Sequence, residues 1–218
     1  AHMNAPSSHF TILLGGDVFG TDRLARQIVG SRVIAADSGM RHATTLHLSP
    51  ELWTGDFDSV DDRLEAAFPD VEREIFPAAK DLTDGEIAVE AALARGASTL
   101  TLVGAFGGPR ADHAFLHLAL AIRLSESGID VRLTSGTQEG VPLRIGSQNL
   151  DLPSGTVFSV LAMTDLAGLT LTGARWPLTE RDVPFGSSLT LSNEVVGDLT
   201  VSFRSGRAIL IAHPVGAI

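Results

Sequence analysis

The sequence predicts an α/β N-terminal domain, with a mostly parallel sheet flanked by helices, followed by an all-β C-terminal sandwich domain. Strand-like and helix-like segments alternate over the first two thirds of the 218 residues, which is typical of a parallel sheet covered on both faces. After about residue 137 the helical periodicity ends. Short runs rich in Thr, Val, Leu and Ser then alternate with Gly, Pro and Asn, as in antiparallel sandwiches.

The first region contains six apolar segments that suit buried strands, separated by five segments with the helical spacing of apolar residues. The predicted strands are, in chain order, 10–16, 31–39, 51–59, 72–77, 98–106 and 129–136. The predicted helices between them are 21–30, 40–48, 61–68, 83–96 and 112–128. The helix at 83–96 has the clearest ends, because Thr83 and Glu86 form a capping-box pattern and Gly96 closes the helix.

The second region contains six shorter runs bounded by turn-forming residues. They are 142–145, 156–163, 168–174, 187–192, 198–203 and 208–213. We therefore expect three parts: a disordered tail at 1–9 that starts with an apparent cloning remnant, an α/β domain at 10–136, and a β-sandwich domain at 137–218. The start has no signal-peptide pattern, and no apolar run approaches the roughly 18 residues of a membrane helix.

The composition excludes several classes of function. The chain has no cysteine, which excludes disulfides, thiolate catalysis and cysteine-bound zinc and agrees with the cytoplasmic location that we expect. The net charge of −10 argues against nucleic acid or an anionic membrane as the main partner. A polyanionic ligand stays compatible with this charge if a divalent cation lies between it and the protein.

Aspartates follow several predicted strands, at the end of a parallel sheet where ligands bind. Asp37 follows the second strand, and Asp56 and Asp58 lie at the end of the third. If that strand stays extended, Asp56 and Asp58 point the same way, about 6.6 Å apart, and repel by roughly 2.5 kcal/mol. Because a hard cation between them turns this repulsion into attraction, we predict a magnesium site. The alternative is a turn that uses Gly and Asp.

The acids that follow have a structural explanation. Ser59 can cap the helix at 61–68, and Asp61 and Asp62 then suit its first turn. In the same way Asp84 lies in the first turn of the helix at 83–96, where a carboxylate is favoured with or without a metal.

Two further features of the sequence are suited to binding an anion such as phosphate. Lys80 is the only lysine of the chain and could contact a phosphate as a point charge, or be an ordinary surface residue. The segment 104–113 is a glycine-rich turn between a strand and a helix, whose N–H groups can face an anion beside the guanidinium of Arg110. Its structural alternative is a tight turn, with Asp112 in the first turn of the helix.

Four motifs in this order resemble those of the thiamine pyrophosphokinase family: "ADSG" at 36–39, "GDFDS" at 55–59, "KDLTDGE" at 80–86 and "GGPRADH" at 107–113. In the β-rich region "LTGARWPL" at 171–178 and "SLTLSNE" at 188–194 also resemble the family, so the resemblance extends over nearly the whole chain. The chain departs from the family at Ser38, where many members have a glycine. It departs again at Pro109, an extra residue that removes an N–H donor from the glycine turn.

The resemblance implies a Mg²⁺-dependent transfer of pyrophosphate from ATP to the hydroxyethyl oxygen of thiamine, which gives thiamine diphosphate and AMP. It assigns Asp56, Asp58 and Asp84 to the metal and, together with Asp81, to catalysis. The residues that it assigns to ATP and its phosphates are Asp37, Lys80, Thr83, Arg110, Asp112 and His113. Among these, Asp112 is expected to orient Arg110 or the substrate.

The resemblance also implies a thiamine site in the β domain, where Trp176 stacks on a thiamine ring and Ser192 and Asn193 hydrogen-bond its pyrimidine. Without the family, Trp176 could be a core residue and 192–193 a turn, whereas Trp53 is expected in the core. Family members form homodimers, with the pocket between the α/β domain of one chain and the β domain of the other, and we expect the same. Two alternatives stay open: a pyrophosphokinase for another heterocycle such as a pterin, and a non-catalytic thiamine or nucleotide sensor.

Overall fold

The computed structural model describes residues 5–58, 60–75 and 81–216. The chain separates into two compact units. The first consists of the residues up to Ala114 together with Ile129–Gly136, and the second consists of Phe115–Gly128 and the chain from Thr137 onward.

The first unit is built on six parallel strands. They are β1 (His9–Leu13), β2 (Arg32–Ala36), β3 (Leu52–Gly55), β4 (Arg73–Ile75), β5 (Thr99–Val103) and β6 (Asp130–Thr134). Their order in the sheet is β6-β5-β1-β2-β3-β4, so successive strands are added on one side of β1 and then on the other. The predicted parallel sheet is confirmed, and β1 begins one residue before the predicted start at residue 10.

The helices are α1 (Asp22–Ile28), α2 (Arg41–Thr45), α3 (Asp62–Ala67), α4 (Asp84–Ala94) and α5 (Ala111–Glu126). A 3-10 turn at Asp37–Met40 precedes α2, so the predicted helix at 40–48 is shorter and partly replaced by this turn. The side chain of Asp61, predicted in the first turn of α3, caps this helix, with its carboxylate accepting from Leu64 N at 2.8 Å. Ser59 itself lies outside the described residues.

The core of the first unit contains the predicted Trp53, which is fully buried. The Phe57 and Phe68 rings meet its indole edge-on, with ring centroids 5.0 and 6.4 Å away. The guanidinium of Arg73 lies over the same indole, 4.9 Å from the ring centroid. This aromatic group therefore fills the space beside the carboxyl end of β3, where the candidate site begins.

The capping box at the start of α4 is confirmed. Thr83 Oγ1 accepts from Glu86 N at 3.3 Å, and the Glu86 carboxylate accepts from Thr83 N at 3.4 Å. We expect Thr83→Ala to lower the free energy of unfolding by about 1 kcal/mol, because the Glu86 N–H loses the side-chain oxygen that caps it. Urea unfolding measures this, with Thr83→Ser as the matched control that keeps the hydroxyl. Equal stability of the two variants would contradict the capping role.

The second unit is a sandwich of antiparallel strands. Its strands are β7 (Glu139–Leu143), β8 (Gly146–Leu150), β9 (Val157–Ala162), β10 (Leu166–Ala174), β11 (Leu178–Val183), β12 (Asn193–Phe203) and β13 (Ala208–His213). One layer contains β7, β13 and β9, and the other contains β11, β10, β12 and β8. The start of β12 also pairs with β9, which joins the layers. Their alternate apolar side chains, such as those of Leu171, Val201 and Leu210, form one buried core.

Several details of the second unit differ from the sequence prediction. Strand β7 begins at Glu139 rather than at residue 142, and β12 begins at Asn193 rather than at residue 198. The run at 187–192 is a succession of turns and bends rather than a strand. Strands β8 and β11 were not predicted, because their sequences "GSQNL" and "LTERDV" are mainly polar. Both strands are held by backbone pairing with an apolar neighbour, which the local sequence does not reveal. Within the described ranges, no helix is long and apolar enough to cross a membrane.

Candidate active site

Three aspartates from different segments converge at the carboxyl end of the parallel sheet. Asp37 directly follows β2, Asp56 directly follows β3, and Asp84 is the first residue of α4. Each offers a carboxylate oxygen, and these three oxygens lie within 4.8 Å of one another. Three half-buried carboxylates at this spacing form a donor set that suits a hard divalent cation such as Mg²⁺. The structure therefore brings together Asp56 and Asp84, predicted as metal ligands, with Asp37, predicted to contact ATP.

Asp37 is held in place by its backbone and by its neighbours. Its φ of 47° is in the left-handed region, and its carbonyl accepts a hydrogen bond of 2.8 Å from the indole Nε1 of Trp53. Gly55 has a φ of 149°, and a Cβ there would lie 3.3 Å from Asp37 Oδ1. The glycine of "GDFDS" thus leaves room for the carboxylate from the neighbouring strand, a function that the sequence analysis missed.

Asp58 does not join this cluster, because the strand does not stay extended and the segment forms the turn that was the alternative. Strand β3 ends at Gly55, and the chain turns at Phe57, which has a φ of 64°. The Asp58 N–H then donates to Asp56 Oδ1 at 3.0 Å, and the Asp58 side chain is exposed. The reason is hydrophobic: Phe57 packs against Trp53 instead of staying on the opposite face of a straight strand.

The cluster has a strong electrostatic effect on Asp84. Burial, followed by the charges of Asp37, Asp56 and Asp58, raises the pKa of the Asp84 carboxyl to about 6, and the charge of His113 partly opposes this change. Ionised carboxylates so close together cost free energy in the absence of a counter-charge. A divalent cation removes this cost, which is why the same arrangement indicates a metal site.

We expect metal-free protein to become more stable as the pH falls through about 6. The folded state then binds a proton that the unfolded chain, with a pKa near 3.8, still releases. Above pH 6 both states are ionised, and the folded state carries the full cost. Asp84→Asn should therefore be more stable than wild type at pH 8 by about 1 kcal/mol after solvent screening, and this advantage should shrink towards pH 5. Urea unfolding in EDTA from pH 5 to 8 measures it, and a difference independent of pH would contradict the assignment.

Arg110 and Asp112 form a paired fork next to the start of α5. Arg110 Nε and NH2 donate to the two carboxylate oxygens of Asp112 at 2.9 and 2.7 Å, and the His113 N–H also donates to Asp112 at 3.1 Å. These hydrogen bonds, first of all those from Arg110, hold the pKa of the Asp112 carboxyl well below its usual range. Both Arg110 and Asp112 are largely exposed, so the fork can meet a ligand from solvent.

The other residues predicted for this site are less informative. Asp81 is exposed and lies outside the carboxylate cluster. Thr83 uses its hydroxyl to cap α4. Lys80 lies outside the described residues. Asp17, which follows two glycines after β1, is a further carboxylate near the end of a strand, and this position was the signal in the sequence that could have identified it.

In the second unit, Trp176 is 55% exposed, so the alternative of a core tryptophan is wrong. Its backbone is held by the buried Asn193, whose Oδ1 accepts from Trp176 N at 3.1 Å and whose Nδ2 donates to Trp176 O at 2.8 Å. Ser192 has a φ of 57°, and its N–H donates to Ser159 Oγ at 3.0 Å. Asn193, the first residue of β12, thus fixes the backbone that carries Trp176. The Arg175 guanidinium lies 4.9 Å from the Trp176 ring centroid.

Comparisons with known proteins point to one family for both units. The family model for the thiamin pyrophosphokinase catalytic domain matches residues 29–133, and the model for the thiamin pyrophosphokinase vitamin B1 binding domain matches residues 147–208. Together the two models match most of the chain.

Individual relatives agree. The chain is 29% identical over 185 residues to thiamine pyrophosphokinase of Bacillus subtilis strain 168, covering 82% of this chain and 85% of that protein. The crystal structure of thiamine pyrophosphokinase from Bacillus subtilis superposes with a TM-score of 0.83 at 26% identity, covering 95% and 99% of the two chains. That from Geobacillus thermodenitrificans gives 0.80 at 27% identity, covering 96% and 100%. The chain therefore belongs to the thiamine pyrophosphokinase family of pyrophosphate-transferring kinases.

Proposed function

We propose that this protein transfers the pyrophosphoryl group of ATP to the hydroxyethyl oxygen of thiamine in a Mg²⁺-dependent reaction, giving thiamine diphosphate and AMP. The observation that supports this proposal best is the convergence of Asp37, Asp56 and Asp84 at the carboxyl end of a parallel sheet, in a chain of this family. A triphosphate needs such a centre, because a protein with a net charge of −10 otherwise repels it.

The carboxylates of Asp37, Asp56 and Asp84 would hold the magnesium ion, and Asp58 lies close enough for its charge to act on Asp84. When bound, the ion neutralises the phosphate oxygens and the charge that develops on them during transfer. The protein contributes the placement of its ligands on three different segments, which the Trp53 indole and Gly55 support. Such preorganised placement lowers the entropy cost of bringing the reacting groups together.

The remaining polar groups orient the substrates. Arg110, oriented by both oxygens of Asp112, would present the other edge of its guanidinium to a phosphate. The family resemblance assigns Lys80 and His113 to the same phosphates. In the second unit, the exposed Trp176 ring offers a face for the flat, cationic thiamine. We propose that the pocket is completed in a homodimer, with the α/β domain of one chain facing the β domain of its partner. The absence of cysteine supports a cytoplasmic location.

The test is a direct assay of the products. Purified protein is incubated with ATP, MgCl₂ and thiamine, and the products are identified by mass spectrometry, with EDTA in the matched control. Formation of AMP and thiamine diphosphate supports the proposal. ADP with thiamine monophosphate indicates an ordinary kinase, and tight thiamine binding without any product indicates a sensor. Light scattering of the same preparation measures the mass of the assembly and tests the dimer.

A further inference from the structure

We propose that Asp17 is a positioning residue that clamps the glycine turn before Arg110 and so determines where Arg110 meets the phosphates of the nucleotide. The contact between the Asp17 carboxylate and the Gly108 N–H lies within the first unit and is observed directly. Its effect on the nucleotide rests on the proposed function.

Asp17 lies beside the crevice at the middle of the parallel sheet. Strands β1 and β5 are neighbours, but the chain continues from β1 towards β2 on one side and from β5 towards β6 on the other. The two loops that leave β1 and β5 therefore diverge, and ligands bind in the crevice at such a switch point. Asp17 belongs to the loop after β1, and Gly107 and Gly108 belong to the loop after β5.

The carboxylate of Asp17 joins these two loops. The Gly108 N–H donates to Asp17 Oδ2 at 3.2 Å. Gly107 and Gly108 have φ values of 68° and 76°, and a Cβ on Gly107 would lie only 2.6 Å from Asp17 Oδ2. The carboxylate thus fits into a space that only glycine leaves. The N–H that the glycine turn is expected to offer to an anion is used by the protein's own carboxylate.

The backbone that carries Asp17 is itself fixed. Gly16 N donates to Gly104 O at 2.8 Å, and Asp17 N donates to Phe106 O at 3.1 Å. On the other side, Gly16 O accepts from His42 Nε2 at 2.8 Å. A Cβ on Gly16 would lie 2.1 Å from Phe106 O, so the two loops approach as closely as their backbones allow. The backbone position of Asp17 is therefore well fixed.

The position of the Gly107–Gly108 turn determines the backbone position of Arg110, because only one conformationally restricted residue lies between them. Pro109 separates Gly108 from Arg110, and its ring fixes φ. Asp112 fixes the orientation of the Arg110 guanidinium through two hydrogen bonds of 2.9 and 2.7 Å. Asp112 does not hold the turn that precedes Arg110, whereas Asp17 does. Because Asp17 is exposed, its removal should affect this placement far more than the stability of the fold.

Nucleotide binding tests the proposal, measured by calorimetry with a non-hydrolysable ATP analogue and Mg²⁺. Asp17→Ala should weaken binding about fivefold, which corresponds to the loss of one hydrogen bond. Asp17→Asn should stay within about twofold of wild type, because its amide oxygen accepts the same N–H. In the assay, KM for ATP should rise with Asp17→Ala, while KM for thiamine and kcat change little. Asp22→Ala, an exposed acid in the first turn of α1, is the matched control.

A double-mutant cycle separates a role through Arg110 from a general effect of charge. In an Arg110→Ala background, Asp17→Ala should cause no further loss of nucleotide affinity, because the group that it positions is gone. The amide resonance of Gly108 provides a readout that needs no nucleotide: it should shift in Asp17→Ala and stay near its wild-type position in Asp17→Asn.

Three outcomes would contradict the positioning role of Asp17. Nucleotide affinity that is unchanged or higher in Asp17→Ala overturns the inference and leaves the proposed function intact; higher affinity would mean that the carboxylate competes with phosphate. An equal loss in Asp17→Asn and Asp17→Ala assigns the effect to charge and overturns the positioning role. Wild-type protein that binds no nucleotide overturns the proposed function, and the inference with it.

Discussion

Asp56→Asn is expected to reduce the rate of thiamine diphosphate formation by about a thousandfold, because the proposed magnesium ion, which would supply several kcal/mol of charge stabilisation, loses a ligand. The fold should survive. Two ionised carboxylate oxygens no more than 4.8 Å apart repel by at least about 3.5 kcal/mol at an effective dielectric of about 20, and the substitution removes part of this repulsion. In EDTA the variant should therefore be at least as stable as wild type. Rate measurements and thermal unfolding with and without Mg²⁺ check both expectations.

The control for Asp56→Asn is Asp62→Asn, which removes the same charge from an exposed position in the first turn of α3. It should keep normal turnover and normal stabilisation by Mg²⁺. A variant at Asp56 that keeps wild-type turnover would remove that residue from the metal site. Asp58→Asn completes the series: a loss as large as that of Asp56→Asn would show that Asp58, exposed in this structure, moves to the metal when substrates bind.

Trp176→Ala is expected to raise KM for thiamine about tenfold, since stacking of a cationic ring on an indole contributes about 1–2 kcal/mol. The side chain is 55% exposed, and Asn193 holds the backbone rather than the ring. The thermal midpoint should therefore change little, and KM for ATP should stay the same. Trp176→Phe, which keeps an aromatic face, should recover part of the loss. Steady-state kinetics with each substrate varied in turn measure these effects.

Phe185→Ala provides the comparison for Trp176. Phe185 is also an aromatic residue of the second unit and is 67% exposed, but no sequence motif assigns it to thiamine. Its substitution should leave KM for thiamine unchanged. If Phe185→Ala and Trp176→Ala have equal effects, the loss reflects a general change of the apolar surface and the stacking role of Trp176 is wrong.

Features encoded within a few neighbouring residues were predicted correctly from the sequence. The alternation of apolar strands and amphipathic helices predicted the parallel sheet, and the spacing of Thr83 and Glu86 predicted the start of α4. The last strand, Ala208–His213, has the bounds of the predicted run. In each case the decisive interactions are either local hydrogen bonds or the burial of one face, which the periodicity of the sequence records directly.

The composition of the site was decided by tertiary structure. Asp37 joins Asp56 because β2 and β3 are neighbours and Gly55 leaves space between them. The order of strands in the sheet cannot be predicted from the sequence of either strand alone. Asp58 turns away because burying Phe57 against Trp53 outweighs an extended backbone. Asp17 meets Gly108 across 91 residues. The sequence by itself determined which carboxylates were available, and long-range packing, which depends on the order of the strands, decided which of them meet.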